Sequence, residues 1–213
     1  MLKKIIFAMS LMILSAFAGD SFLNSCQKKW NATLANMKSF RGDMVQTMSL
    51  EENNLSNSQD MKIMYLKLDQ TYLRMDVQMN NVNSFVICRG DSMYVKTGDD
   101  KWLPGHQKCS SNPLLGAVEA LGKSKLKFVK ESNGFRIYQD SLKVNYKIQT
   151  KTCRIVEAEN ADMKTSWEYE IIKDLDIPVK NVMNVKKNSA KIEVEFKNLL
   201  VNQGVTKSFF EVK

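Results

Sequence analysis

Between Phe40 and Phe196 the apolar residues of this chain recur at every second position, with one short stretch of helical period among them. The clearest segment is Thr71 to Met79. Leu73, Met75, Val77 and Met79 fall on one side of it, and Tyr72, Arg74, Asp76 and Gln78 on the other. Alternate side chains of a strand point to opposite faces. A strand written this way buries one face and wets the other, the pattern of an antiparallel sheet. Phe40, Met44 and Met48 obey the same rule against Arg41, Asp43 and Thr47. Further strands are expected over 61–68, 84–88, 92–97, 101–103, 126–131, 135–139, 142–149, 153–158, 166–171 and 191–197, with a final edge strand over 208–212. Residues 51–60 read as a polar loop. Gly-containing turns at Arg89-Gly90-Asp91, Gly98-Asp99-Asp100 and Ser132-Asn133-Gly134 join neighbours into a meander. Together these predict one large curved antiparallel sheet of about eleven strands.

Two helices accompany it. Over Ser21–Ser39, Leu23, Trp30, Leu34 and Met37 form an apolar stripe at spacings of seven, four and three. Further on, Asn112 suits an N-cap, Pro113 the first helical position and Gly122 the residue past the end. Leu114, Leu115, Val118 and Leu121 lie between them on one stripe. The class is therefore mostly β, α+β in kind. No linker or internal repeat divides residues 19–213, so they are expected to form one domain. Two helices are too few to cover the apolar face of so large a sheet. Either the sheet closes on itself as a filled barrel, or its concave side keeps a cavity.

The start of the chain sets its compartment. Lys3 and Lys4 precede an apolar run from Ile5 to Ala16, and Ala16-Phe17-Ala18 is a small-x-small site. This is the layout of a signal peptide over 1–18, with a run too short to span a bilayer. Export of a soluble mature protein is expected. The four cysteines, Cys26, Cys88, Cys109 and Cys153, all lie beyond the leader. An even number in an oxidising compartment predicts two disulfides, and three pairings are possible. Cys88–Cys109 is favoured, because a compact hairpin lies between them. The net charge of +8 falls by two, to +6, once Lys3 and Lys4 leave with the leader. Its lysines are spread along the polar faces of the strands, which argues for a solvated basic surface and against a nucleic-acid partner.

Little here resembles a catalyst. There is one histidine, His106, in a Pro-Gly-rich loop. Ser-His and Cys-His designs need a histidine with a partner, and a zinc site needs more than His106 and Cys109. No phosphate-binding glycine loop and no Gly-x-Ser-x-Gly occurs. The expectation is a protein that is not an enzyme and takes no cofactor or metal. What stands out is methionine, 13 in all, with Met44, Met48, Met75 and Met79 on the apolar faces of the first strands. Methionine suits surfaces that accept ligands of variable shape, and an acyl chain is the natural occupant of such a groove.

The order of elements resembles the LolA-type outer-membrane lipoprotein carriers and the wider lipoprotein-sorting family. The likeness begins at Lys38-Ser39-Phe40-Arg41-Gly42-Asp43-Met44-Val45-Gln46-Thr47. It runs through Tyr65-Leu66-Lys67-Leu68 and Tyr72-Leu73-Arg74-Met75-Asp76. It is strongest at Phe85-Val86-Ile87-Cys88-Arg89-Gly90-Asp91-Ser92-Met93-Tyr94-Val95, which looks like the family's Val-Ile hairpin. The resemblance implies an unclosed antiparallel half-barrel with helices lidding a hydrophobic cavity. It further implies a soluble monomer that shields acyl chains of lipoproteins, or related lipids, between an inner-membrane transporter and an outer-membrane receptor. Members of the same superfamily act as lipid sensors or protein-binding modules in the cell envelope, which is the alternative. The best-known carriers hold their lid with an Arg-Pro pair between the second and third strands. Leu68-Asp69 occupies that place here, so that latch does not carry over. On this reading Met44, Met48, Leu73, Met75, Val77, Met79, Leu142, Val144, Tyr146 and Ile148 line the groove. Trp30, Leu34, Leu114, Leu115 and Val118 form the lid.

Overall fold

The computed structural model describes residues 20–50, 54–79, 82–106, 109 and 112–212, so the expected leader lies outside the described residues. Helix α1 (Ser21–Asn36) comes first. Asp20 starts it, its Oδ1 accepting the amides of Phe22 at 3.1 Å and Leu23 at 3.2 Å. Such a cap satisfies donors that the first helical turn leaves open. The helix buries Leu23, Cys26, Trp30 and Thr33, one face at helical spacing.

Six strands follow: β1 (Ser39–Leu50), β2 (Leu55–Lys67), β3 (Thr71–Met79), β4 (Val82–Arg89), β5 (Ser92–Thr97) and β6 (Leu103–Pro104). Helix α2 (Gly116–Gly122) interrupts them. It starts three residues later than Asn112 and Pro113 suggest: Asn112 Oδ1 accepts from Leu114 and Leu115 at 3.0 and 3.1 Å, closing a turn over 113–115 ahead of the helix, and Gly122 is its last residue. The strands resume as β7 (Lys127–Ser132), β8 (Phe135–Gln139), β9 (Asn145–Gln149), β10 (Ile155–Glu159), β11 (Met163–Ile172), β12 (Leu175–Val185) and β13 (Ala190–Val201).

The 13 strands among the described residues form one antiparallel sheet in the order β6-β5-β4-β3-β2-β1-β13-β12-β11-β10-β9-β8-β7. The first and last strands pair at its centre, and the two edges, β6 and β7, remain unjoined. The result is an unclosed half-barrel. Between β6 and β7 the chain crosses from one edge to the other, and this crossing carries α2 over the inner face. Gly42 lies at a register shift between β1 and β13, where a Cβ would fall 2.8 Å from the Lys197 carbonyl oxygen. Only glycine permits that approach.

The inner face joins both helices in the main core, which includes Phe40, Ile63, Tyr65, Leu115, Tyr138, Ile148, Ile155 and Ile177. A smaller apolar cluster of Leu66, Tyr72, Ile87 and Phe210 lies on the outer face. It corrects the expected edge strand over 208–212. Lys207–Phe210 is a 3-10 turn lying across β3 and β4, and Arg89 holds its Phe210 carbonyl oxygen through Nε at 2.8 Å. Two further expectations change. Residues 55–60 belong to β2, because Ser56 and Ser58 pair across a long hairpin with Ser49 and Thr47. Strand β12 has no counterpart in the periodicity, for Pro178 and a bulge opposite Glu168 and Tyr169 break its alternation.

Candidate groove on the inner face

Both disulfides form, Cys26–Cys153 and Cys88–Cys109, with Cα–Cα distances of 5.2 and 5.8 Å. The first bonds α1 to the turn between β9 and β10. Beside it, the Trp30 indole donates to the Cys153 carbonyl oxygen at 2.8 Å and Lys29 Nζ to that of Thr152 at 2.7 Å. Helix α1 in turn holds the end of α2. Gln27 Nε2 donates to the Leu121 and Ser124 carbonyl oxygens at 3.1 and 2.9 Å, supplying acceptors at a helix C-terminus with a partner. The second disulfide fastens the other end of the crossing to β4.

Held this way, α2 leaves a cavity on either side. One, of about 220 Å³, lies among Leu114, Gly116, Ala117, Trp167, Met183 and Phe196. The other, of about 230 Å³, lies among Ala117, Ala120, Val144, Tyr146, Ala158 and Met163. Ala117, Thr165 and Trp167 border both. The helix side is built of small residues and the sheet side of larger apolar ones, so space remains between them. A larger hollow of about 740 Å³ lies on the outer face, along the row Asp43, Lys62, Asp76 and Phe85. Charged side chains wall it, which suits water better than hydrocarbon.

The residues expected to line the groove are spread over three settings. Val144 and Tyr146 border the second cavity. Met44, Leu73 and Ile148 are buried in the main core, with Met75 and Val77 packed against it. Met48 is 43% exposed near the end of β1. The side chain of Met79 lies outside those described. Leu142 is misplaced by the strand reading, being 79% exposed in a turn ahead of β9. The cause is Asp140, whose Oδ1 accepts the amides of Leu142 and Val144, both at 2.9 Å, and so turns Leu142 outward. The other carboxylate oxygen of Asp140 accepts the Tyr146 hydroxyl at 3.0 Å. Burial, with that bond and charge, pushes the Tyr146 hydroxyl up to about 12. Tyr146 therefore stays neutral at the cavity wall. Of the lid residues, Trp30, Leu114, Leu115 and Val118 are buried and Leu34 packs against the same core. Thr165, Trp167, Met183 and Ala117 went unassigned. Trp167 alternates with Ser166 and Glu168, but only the sheet order reveals that its strand passes beneath α2.

No family model matches the chain, and no curated protein does. Solved structures do. A DUF1329 family protein from Desulfovibrio piger superposes with a TM-score of 0.65 at 10% identity, covering 89% of this chain and 95% of that one. A LolA superfamily protein from Nitrosomonas europaea gives 0.62 at 10% identity, over 88% and 96%. The fold is LolA-type. A third match, described as an outer membrane lipoprotein-sorting protein domain from Vibrio parahaemolyticus, gives 0.59 at 11% identity, over 87% and 95%. The fold thus spans nearly the whole of this chain and of these relatives. Among the described residues no helix is long and apolar enough to cross a membrane.

Proposed function

We propose that this protein is a periplasmic carrier that shields acyl chains of lipoproteins or related lipids in the groove beneath α2, without chemistry of its own. The observation that supports it is the pair of cavities on the apolar inner face, which share Ala117 of α2 and Thr165 and Trp167 of β11 as their common border. A hydrocarbon chain gains about 0.8 kcal/mol per buried methylene. About ten methylenes would then bring a gross gain of roughly 8 kcal/mol, before the cost of fixing the ligand, with no specific polar contact. Delivery from an inner-membrane transporter to an outer-membrane receptor follows from the fold's relatives by analogy. A second reading, a sensor module that engages a protein partner, draws support from the inner face of β1–β4. There Met44, Met61, Ile63 and Leu73 fill the space themselves.

Native mass spectrometry of the exported protein, with uptake of a fluorescent fatty acid, separates the two. Ala117→Phe is the informative variant, because Ala117 borders both cavities. The carrier reading expects bound lipid in the wild type and about tenfold weaker uptake in a folded Ala117→Phe protein, the loss of two or so buried methylenes. A wild type that carries no lipid and takes up none would overturn the carrier and favour the protein-binding module.

A further inference from the structure

Thr165 is 7% exposed, borders both cavities, and has no side-chain hydrogen-bond partner among the described residues. Yet every described side-chain nitrogen or oxygen that is sealed from solvent does have a partner. The Thr165 hydroxyl is therefore open to the cavities it borders. A hydroxyl reached from the cavities can bond water there, and a ligand acceptor can take that water's place.

Two more groups share its setting. Trp167 lies two residues along the same face of β11, about 7 Å away at the rise of a strand. Asn181 stands directly opposite Trp167 across the β11–β12 ladder and borders the first cavity. Neither the indole N–H nor the carboxamide has a hydrogen-bond partner among the described residues. All three groups donate, and the indole does nothing else. The charged residues nearby are already engaged. Lys180 is 2.7 Å from Glu193, and Glu159 is 2.7 Å from Lys186. The row thus offers neutral donors without an uncommitted charge, between two apolar cavities.

We infer that Thr165, Trp167 and Asn181 receive the carbonyl oxygens of an acyl ester or amide whose hydrocarbon lies along α2. This rests on the lipid-groove reading and narrows it. The ligand is an acyl group bearing its carbonyl, and an alkyl chain of equal length is the wrong ligand. The donors lie on β11 and β12, so the linkage sits beneath α2 and the chain extends past Ala117.

The test is a competition between 1-monopalmitoylglycerol and its ether analogue 1-O-hexadecylglycerol, which have equal chains and headgroups and differ in the carbonyl. Native mass spectrometry of the protein with an equimolar mixture reads both complexes at once. One net hydrogen bond predicts about fivefold more ester complex than ether complex. In Thr165→Val/Trp167→Phe/Asn181→Leu, which removes all three donors, the ratio should fall close to one, while Thr165→Ser should keep it. Equal loading of the wild type, or a preference that survives the triple substitution, overturns the inference and leaves the groove. Absence of both complexes overturns the groove reading itself. The wild-type ratio decides even where the triple variant fails to fold.

Discussion

At the scale of single residues, Asp20 joins more interactions than any apolar alternation would suggest. One oxygen caps α1, and the other accepts the Tyr138 hydroxyl at 2.5 Å, while Arg136 approaches at 3.4 Å. Burial raises its carboxyl pKa. The Tyr138 hydroxyl, the Leu23 and Phe22 amides and Arg136 outweigh that, leaving it below the usual carboxylate value of 3.8. Burial, with the same hydrogen bond, drives the Tyr138 hydroxyl upward. A depressed carboxylate stabilises the fold above its unfolded pKa, and this contribution is lost as the pH falls through the folded value. Asp20→Ala should therefore cost about 1 kcal/mol or more at pH 7, the usual loss for a cap. Asp20→Asn keeps a capping oxygen but not the charge. Its stability should match the wild type more closely at pH 3 than at pH 7. Urea unfolding at the two pH values checks this, and an equal deficit at both would remove the charge from the account.

At the scale of elements, what was legible is what alternates without interruption. Strand β3 reads directly because nothing breaks its period, and α1 because Leu23, Trp30 and Leu34 hold theirs. Strand β12 was illegible because Pro178 and a bulge shift its faces midway. The outer-face turn at Lys207–Phe210 passed for a strand because two phenylalanines and a valine carry β propensity, whereas tertiary packing decides. The candidate site was half legible. Val144 and Tyr146 follow from alternation, but Thr165 and Ala117 come together only through the crossing from β6 to β7. The disulfides differ in the loop each closes, 127 residues apart for Cys26–Cys153 and 21 for Cys88–Cys109. On a chain-entropy account these contribute roughly 5 and 3 kcal/mol respectively. Cys26→Ser/Cys153→Ser should thus lower the unfolding free energy more than Cys88→Ser/Cys109→Ser. The reverse order in urea melts would show that local packing, not loop closure, sets their value.

Taken whole, the molecule is two wings on a central seam. Strands β1 and β13 form the seam, β2–β6 extend to one edge and β7–β12 to the other. The chain passes between the edges once, and that passage is anchored at both ends. Cys109 bonds it to β4 in the first wing. Gln27 binds its far end to α1, which Cys26 bonds to Cys153 in the second wing. A continuous belt therefore runs from wing to wing across the groove. It lies where the resemblance would place the lid, whose latching Arg-Pro pair between the second and third strands is replaced here by Leu68-Asp69. If lipid enters by displacing α2, the belt sets the rate. The cavity walls set the affinity, because Cys88 and Cys109 border neither cavity. Cys88→Ser/Cys109→Ser should then speed both uptake and release of a fluorescent fatty acid by on the order of tenfold, about 1.4 kcal/mol of opening free energy. The equilibrium constant should change far less, since both rates rise together. Stopped-flow exchange measures this directly, and mild reduction of the wild type should reproduce the faster rates. Unchanged exchange in a folded double variant would mean that lipid enters past the open edge of the sheet while α2 stays in place.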